Sequence, residues 1–342
     1  MALAEQLVHG IRVFWQGRSP IAEPQAPRDR DDTILERLES ELITLRRENA
    51  CRQRIGNVIA RYFIKGERTA DISIAPEMVK VDSDPAWVPG MLQRPDLTEP
   101  EFAAFRYLDQ PGDTILDIGA NFGYSAATIW AAGSRSMILS FEPNPWHIPC
   151  LEQIKALRSQ VFDFVQIGLA ASESDIRFVM PVVEGTGISG LSSAAIETET
   201  DWAIPENVLN YMMTYVPEVA LPTLQFTEVR WRVAPLDTVL QTRSFAIPLE
   251  TISAIKIDVE GFEADVIAGA TETLRQHRPV LLIEGANRVP EVVSSLAVLG
   301  YAYADFDGDG VVLSDATSTR TGGFYLHRAR LDLYREIGLL KN

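Results

Sequence analysis

Short apolar runs alternate with helical stretches of mixed polarity from about Phe102 onward. Apolar runs of about four to eight residues, bounded by turn residues, are typical of buried strands. Their regular alternation with helices indicates a doubly wound, mostly parallel α/β sheet. The pattern predicts strands at Thr114–Ile118, Met137–Phe141, Phe164–Ile167, Ala254–Asp258, Val280–Glu284, Tyr301–Phe306 and Gly323–His327.

The chain has a different pattern before residue 100. Residues 32–66 are charged and contain leucines at the spacing of an a/d seam, at Leu35, Leu38, Leu42 and Leu45. This pattern predicts a helical segment, which is either a short coiled coil that mediates self-association through residues 32–62 or an amphipathic helix packed on its own domain. Residues 1–31 are expected to form an N-terminal helix and linker, and the proline-rich and acidic residues 67–100 a linker or wrapping segment.

The main domain is expected over residues 101–330, followed by a C-terminal helix over residues 331–342. Within that domain, residues 181–233 interrupt the alternation of strands and helices. We interpret this stretch as a cap. Its aromatic and methionine residues, as in NYMMTYV, suit either an apolar ligand pocket or ordinary packing of a cap helix on the sheet.

Acidic residues stand at the carboxyl ends of the predicted strands, where doubly wound sheets bind their ligands. These residues are Asp117, Glu142, Asp258 with the nearby Glu260, and Glu284. A turn follows Asp117, LDIGANFGYS, in which Gly119 and Gly123 flank Asn121 and allow a ligand to approach the backbone. An acid ahead of the first glycine discourages a pyrophosphate and suits a positively charged or hydroxyl-rich ligand. Glu142 follows at about the spacing at which an acid binds both ribose hydroxyls in nucleotide-binding folds.

Composition narrows the set of partners. The 342 residues carry a net charge of −16, and such an acidic surface repels nucleic acid and anionic lipid. We therefore expect a small-molecule or glycan partner and no nucleic acid. No run approaches the roughly 18 apolar residues of a membrane-spanning helix. With two cysteines and no signal-peptide pattern at Met1, the sequence indicates a cytoplasmic protein.

Four segments together resemble the FkbM-type family of S-adenosylmethionine-dependent methyltransferases: PGDTILDIGANFGYSA, LSFEPNP, RVAPLDTVL and AIKIDVEGFEADVIAGA. The resemblance extends from about Glu101 to Arg328. It implies a Rossmann-like class I methyltransferase fold, with a seven-stranded, mostly parallel sheet whose last strand is antiparallel. It also implies S-adenosylmethionine as cofactor and O-methylation of a sugar, glycan or other small-metabolite hydroxyl. The cofactor-binding residues that it implies are Asp117, Gly119, Asn121, Gly123 and Glu142, and the family motif falls on Asp258, Glu260 and Gly261.

Carboxylates are the candidate catalytic groups, because Asp258, Glu260 and Glu284 stand at strand ends and none of the four histidines does. An ordinary carboxylate is a poor base toward an alcohol. Either burial must raise the pKa of one carboxyl group, or a divalent cation such as Mg²⁺ must lower the pKa of the acceptor hydroxyl. We expect Asp258 to act as base, and we favour the route without a metal. Lys256 lies on the same strand face as Asp258, and we predict that it forms a structural ion pair.

Two other classes of function share some of these features. An NAD(P)-dependent oxidoreductase uses a similar sheet, but DIGANFG is not the Gly-x-Gly-x-x-Gly loop of that class. A non-catalytic oligomeric scaffold with a degenerate methyltransferase domain would depend on the leucine seam. The intact glycine loop and KIDVEGFE argue against the scaffold.

The stretch DFDGDG, Asp305 to Gly310, matches the first half of a calcium-binding EF-hand loop. The twelfth position of that loop is Ala316, where the EF-hand needs a glutamate. The sequence therefore predicts a hairpin turn here.

Overall fold

The computed structural model describes residues 69–74, 77–82, 100–108, 110, 112–183, 186–187, 193–194, 225–259, 261–285, 289–315 and 322–341. The expected N-terminal helix, the leucine seam, Glu260 and the NYMMTYV stretch lie outside these residues. Self-association through residues 32–62 therefore stays a prediction. Within the described ranges, no helix has both the length and the apolar character needed to cross a membrane.

The strands are numbered in chain order. They are β1 (Thr69–Ile74), β2 (Glu77–Asp82), β3 (Asp113–Ile118), β4 (Met137–Phe141), β5 (Phe162–Val165), β6 (Gly168–Leu169), β7 (Ser174–Val183), β8 (Thr186–Gly187), β9 (Ser193–Ala194), β10 (Gln225–Ala234), β11 (Thr251–Ile257), β12 (Val280–Glu284), β13 (Tyr301–Phe306), β14 (Val311–Leu313) and β15 (Gly322–His327).

The helices are α1 (Tyr124–Ala131), α2 (Ile148–Arg158), α3 (Leu236–Thr242), α4 (Glu263–Gly269), α5 (Thr271–His277), α6 (Pro290–Val298) and α7 (Leu331–Glu336). Two 3₁₀ helices cover Pro100–Tyr107 and Arg328–Arg330. The C-terminal helix expected over residues 331–342 is shorter in the structure, because α7 ends at Glu336 and Leu340 instead forms an isolated bridge with Val311.

The main sheet has eight strands in the order β14-β13-β15-β12-β11-β3-β4-β5. Neighbours from β12 to β5 are parallel, whereas β15 is antiparallel to both β12 and β13. The expected mostly parallel sheet with an antiparallel last strand is confirmed. The eighth strand is β14, which returns from β13 as an antiparallel hairpin through the DFDGDG stretch, so the predicted turn is confirmed there.

Two apolar cores lie on the two faces of this sheet. One contains residues of the first 3₁₀ helix, α1 and α2, such as Phe105, Ala126 and Ile154. The other contains residues of α3 to α6, such as Val239, Val266 and Val292. Strands of the sheet contribute to both cores, as shown by the neighbours Ile115 and Leu116, which are fully buried in different cores. Helices on both faces are the arrangement expected of a doubly wound sheet.

Two regions differ from the expected elements. Within residues 67–100, which the sequence assigns to a linker, β1 and β2 form an antiparallel hairpin. Around the expected cap at residues 181–233, a second sheet forms in the order β6-β10-β7-β8, and β9 also pairs with β7. Its long antiparallel pair, β7 and β10, is called the ribbon below. The boundaries that we expect for the cap therefore fall inside the two strands of the ribbon.

Candidate active site

Two cavities open at the carboxyl ends of the central strands. The first cavity lies between the ends of β3, β4 and β11 and the ribbon. The second cavity lies between the first 3₁₀ helix, the start of α1 and the ends of β11 and β12. Gly119, Asn121 and Asp258 line both. The turn after β3 therefore separates two adjoining spaces at the edge of the sheet where doubly wound folds bind their ligands.

The turn after β3 is held by its neighbours. The N–H groups of Gly119 and Ala120 donate to the carbonyl of Phe141 at the end of β4, at 3.0 and 3.1 Å. Gly119 has a φ of 78°, and a Cβ at this position would come within 1.9 Å of the backbone oxygen of Asp258. The close approach that requires glycine here is thus to β11 and not only to a ligand. Asn121 also has a positive φ, of 52°, which asparagine tolerates better than most residues.

Glu142 follows β4 and is buried at the first cavity. Its Oε2 accepts a hydrogen bond from the N–H of Asn121, and its Oε1 accepts one from the N–H of Asn144, both at 2.8 Å. These bonds fix the carboxylate against the glycine turn. Each oxygen keeps a further lone pair. The carboxylate can therefore still accept hydrogen bonds from a pair of ligand hydroxyls.

Asp117 lies beneath the cavities and lines neither of them. Its carboxylate accepts hydrogen bonds from Ser125 at 2.8 Å and from Ser140 at 3.2 Å, and it lies 3.4 Å from the Nζ of Lys256. Gly123 also lines neither cavity, and a Cβ there would come within 2.2 Å of Ile154. Of the five residues implied for the cofactor, only Gly119, Asn121 and Glu142 reach a cavity wall. The other two support the turn.

Lys256 connects the turn with the family motif. Its Nζ donates to the carbonyl oxygen of Gly119 at 2.9 Å and lies 3.3 Å from Oδ2 of Asp258. Burial lowers the pKa of this ammonium, but the carboxylates of Asp258 and Asp117 outweigh burial and hold the pKa above its usual value. Lys256 is therefore charged, and the predicted ion pair with neighbouring carboxylates is present.

The pKa of Asp258 is lowered, whereas a raised pKa was expected for the catalytic base. Burial raises this pKa, but the charge of Lys256 and a hydrogen bond with Glu284 outweigh burial, and the pKa lies below its usual value. The expectation that burial would raise the pKa of this candidate base is therefore wrong for Asp258. Glu284 lies with Asp258 on the second cavity.

The described residues include no group of three or more His, Cys, Asp or Glu side chains that could hold a metal ion. Asp258 and Glu284 therefore do not support the presence of a Mg²⁺ site. The third residue of that acidic set, Glu260, is outside the described part of the chain.

The sequence motifs do not identify several residues that line the first cavity. Asn144 is buried, and its Nδ2 has no hydrogen-bond partner among the described residues, while its Oδ1 accepts from the N–H of Trp146 at 3.1 Å. The ribbon adds an apolar wall that includes Phe178 and Trp231. The signal that could have found this wall is the alternation of polar and apolar residues in DIRF and EVRWRV.

The sheet order and the acid-ended strands beside a glycine turn define a Rossmann-like methyltransferase fold. The family model described as "Methyltransferase FkbM domain" matches residues 117–303, which is more than half of the 342 residues. The chain belongs to the FkbM methyltransferase family.

A curated relative is 2-O-methyltransferase NoeI of Sinorhizobium fredii, which is 26% identical over 178 residues. The match covers 50% of this chain and 63% of NoeI, so the chain spans less than two thirds of this relative.

Two solved structures resemble this chain weakly. Methyltransferase FkbM from Methylobacillus flagellatus KT has 14% identity and a TM-score of 0.38, over 67% of this chain and 50% of that one. The SAH-bound Podospora anserina methyltransferase PaMTH1 has 11% identity and a TM-score of 0.35, over 90% of this chain and 99% of that one.

Proposed function

We propose that this protein is an S-adenosylmethionine-dependent O-methyltransferase that acts on a hydroxyl of a sugar, glycan or other small metabolite. Family membership supports methyl transfer, and the relative named as a 2-O-methyltransferase supports oxygen as the acceptor atom. The observation that carries the proposal is the carboxylate of Glu142, held against the glycine turn at the wall of the first cavity.

The residues present fit the proposed cofactor. Glu142 would accept hydrogen bonds from the two ribose hydroxyls. The buried amide nitrogen of Asn144, which has no partner among the described residues, offers a further donor at the same cavity. The second cavity is lined by charged side chains, including those of Glu101, Lys256 and Glu284, and suits the charged amino-acid part. A ligand with a nucleoside at one end and an amino acid at the other would thus lie across the Gly119–Asn121 turn.

Bound S-adenosylmethionine supplies an electrophilic methyl group. Asp258 lines both cavities and would orient the acceptor hydroxyl and then take its proton. Its lowered pKa is compatible with this role if the proton leaves as the new carbon–oxygen bond forms, because the oxygen then becomes a far stronger acid than a free alcohol. Lys256 would keep Asp258 ionised and fixed in position.

Labelled S-adenosylmethionine tests the proposal when it is incubated with the full chain and with extracts or candidate sugars. We expect one metabolite to gain the labelled methyl group, and we expect the Asp258→Asn variant to transfer far less label. Binding of S-adenosylhomocysteine by the wild type would separate this function from an oxidoreductase, which would not bind it. A degenerate scaffold domain would bind it weakly or not at all.

A further inference from the structure

The two faces of the ribbon differ in polarity. Cross-strand pairing brings Trp231 opposite Ile176 and Val229 opposite Phe178. One face carries apolar residues that line the first cavity, which are Ile176, Phe178, Trp231 and Val233. The intervening residues carry charge and are exposed, and they are Asp175, Arg177, Arg230 and Arg232. The apolar face of the ribbon thus lines a cavity.

Two aromatic rings of this wall lie in a row with a third from outside the ribbon. The ring centroids of Phe178 and Trp231 are 4.4 Å apart, and those of Phe178 and Phe262 are 5.7 Å apart. Phe262 follows β11 and lines the same cavity, so the row of rings extends from the ribbon toward Asp258. Trp231 is only half-buried, which leaves part of its ring accessible at the cavity. Aromatic faces of this kind bind flat rings by stacking.

The position of Glu142 determines which part of a donor could meet this wall. If Glu142 holds the ribose, the base and the amino-acid part must extend from it in opposite directions. The second cavity, beyond Gly119 and Asp258, offers charged groups to the amino-acid part. The remaining direction leads to Gly168 and Val233, which pair with each other where β6, shortly after β5 in the chain, runs parallel to the ribbon strand β10. A flat, apolar base suits that side.

We propose that the apolar face of the ribbon, with Trp231 at its centre, is the stacking wall for the adenine ring of the methyl donor. This inference rests on the proposed function. It gives the strands that flank the expected cap a direct part in donor binding. The adenine is thereby held by residues of the second sheet, while the ribose is held by Glu142, which follows a strand of the main sheet.

Calorimetry with S-adenosylhomocysteine on the full chain tests this proposal. Trp231→Leu keeps apolar bulk but removes the ring, and we expect affinity to fall about tenfold or more, the scale of losing one aromatic that stacks on a base. Trp231→Phe keeps a ring and should restore most of the affinity. Arg230→Ala, on the charged face of the same strand, is the matched control and should bind as the wild type does.

Tryptophan fluorescence is a second measurement that does not require a destabilising variant. S-adenosylhomocysteine should change the emission of the wild type, and this change should shrink in Trp231→Phe although that variant still binds. If the wild type binds S-adenosylhomocysteine but Trp231→Leu binds it equally well, the adenine wall is overturned and the proposed function stands. The same conclusion follows if Trp231→Phe keeps the full emission change. If the wild type does not bind S-adenosylhomocysteine, the proposed function itself fails.

Discussion

The first cavity has two walls that are built in different ways. The wall formed by the strand ends carries Glu142 and Asp258, whose carboxylates are fixed by backbone N–H groups or by Lys256. The ribbon wall carries aromatic and aliphatic side chains, and the described contacts of Trp231 there are with Phe178 and the neighbouring strand. One wall is therefore set by hydrogen bonds and buried charge, and the other by shape and apolar area. Substitutions should reveal this difference. Removing a charge from the wall formed by the strand ends leaves a buried partner unsatisfied.

The largest effect should come from Lys256→Met. This change leaves the carboxylates of Asp117 and Asp258 without their shared cation, and breaking a buried ion pair from one side costs about 3–5 kcal/mol of unfolding free energy. Urea unfolding measures this loss. The matched control is Arg275→Met, which breaks an exposed pair with Glu272 and should leave the urea midpoint unchanged. Equal midpoints for Lys256→Met and the control would show that the strand-end wall does not depend on this network.

A smaller effect should follow from Gly119→Ala. Both Gly119 and Gly133 have positive φ values, of 78° and 103°, so alanine at either costs about 1–2 kcal/mol of backbone strain. At Gly119 the new methyl group also meets the backbone oxygen of Asp258, whereas nothing lies within 4 Å at Gly133. The clash should add about 1–3 kcal/mol, and the turn should lose its position. If the two variants unfold at the same urea concentration, the contact between the turn and β11 is looser than described.

The two walls also differ in how well the sequence predicts them. Strands Met137–Phe141, Val280–Glu284 and Tyr301–Phe306 have the predicted bounds, because mostly apolar runs that end at turn residues specify them locally. The strand predicted at Phe164–Ile167 instead covers Phe162–Val165, since Phe162 is fully buried in the sheet. Glu142 and Asp258 follow parallel strands of the same sheet. The carboxyl ends of such strands meet at one edge, so the strand prediction alone places both residues there.

The ribbon wall was missed, since its face depends on pairing between β7 and β10 across a long separation in the chain. The support that Asp117 receives from Ser140 and Lys256 depends on the side chains of other strands, which spacing along one strand does not reveal. The spacing does place Lys256 beside Asp258, but the hydrogen bond with Glu284 of a neighbouring strand, which also lowers the pKa of Asp258, is not visible from it. The hairpin of β1 and β2 fell in a stretch whose proline and acidic content resembles that of a linker.

Asp258→Asn addresses the chemistry of the strand-end wall. The change keeps shape and removes charge, so S-adenosylhomocysteine binding should survive while turnover falls by about 10²-fold. Because Lys256 and Glu284 hold the pKa of Asp258 below its usual value, the group is ionised throughout the neutral range. The wild-type rate should therefore show no loss that is due to Asp258 between about pH 5 and pH 8. A rate in Asp258→Asn close to that of the wild type would remove Asp258 from the reaction.

The central claim is that Glu142 holds the ribose of the methyl donor, and calorimetry with S-adenosylhomocysteine tests it most directly. Glu142→Gln removes the charge at nearly constant shape, and it should weaken binding by about 1.5–3 kcal/mol, the range for a hydrogen bond to a charged group. Glu152→Gln, on the exposed face of α2, is the control and should bind as the wild type does. A clear loss confined to Glu142→Gln is the predicted result. Equal affinity in the two variants, or no binding by the wild type, would contradict the claim.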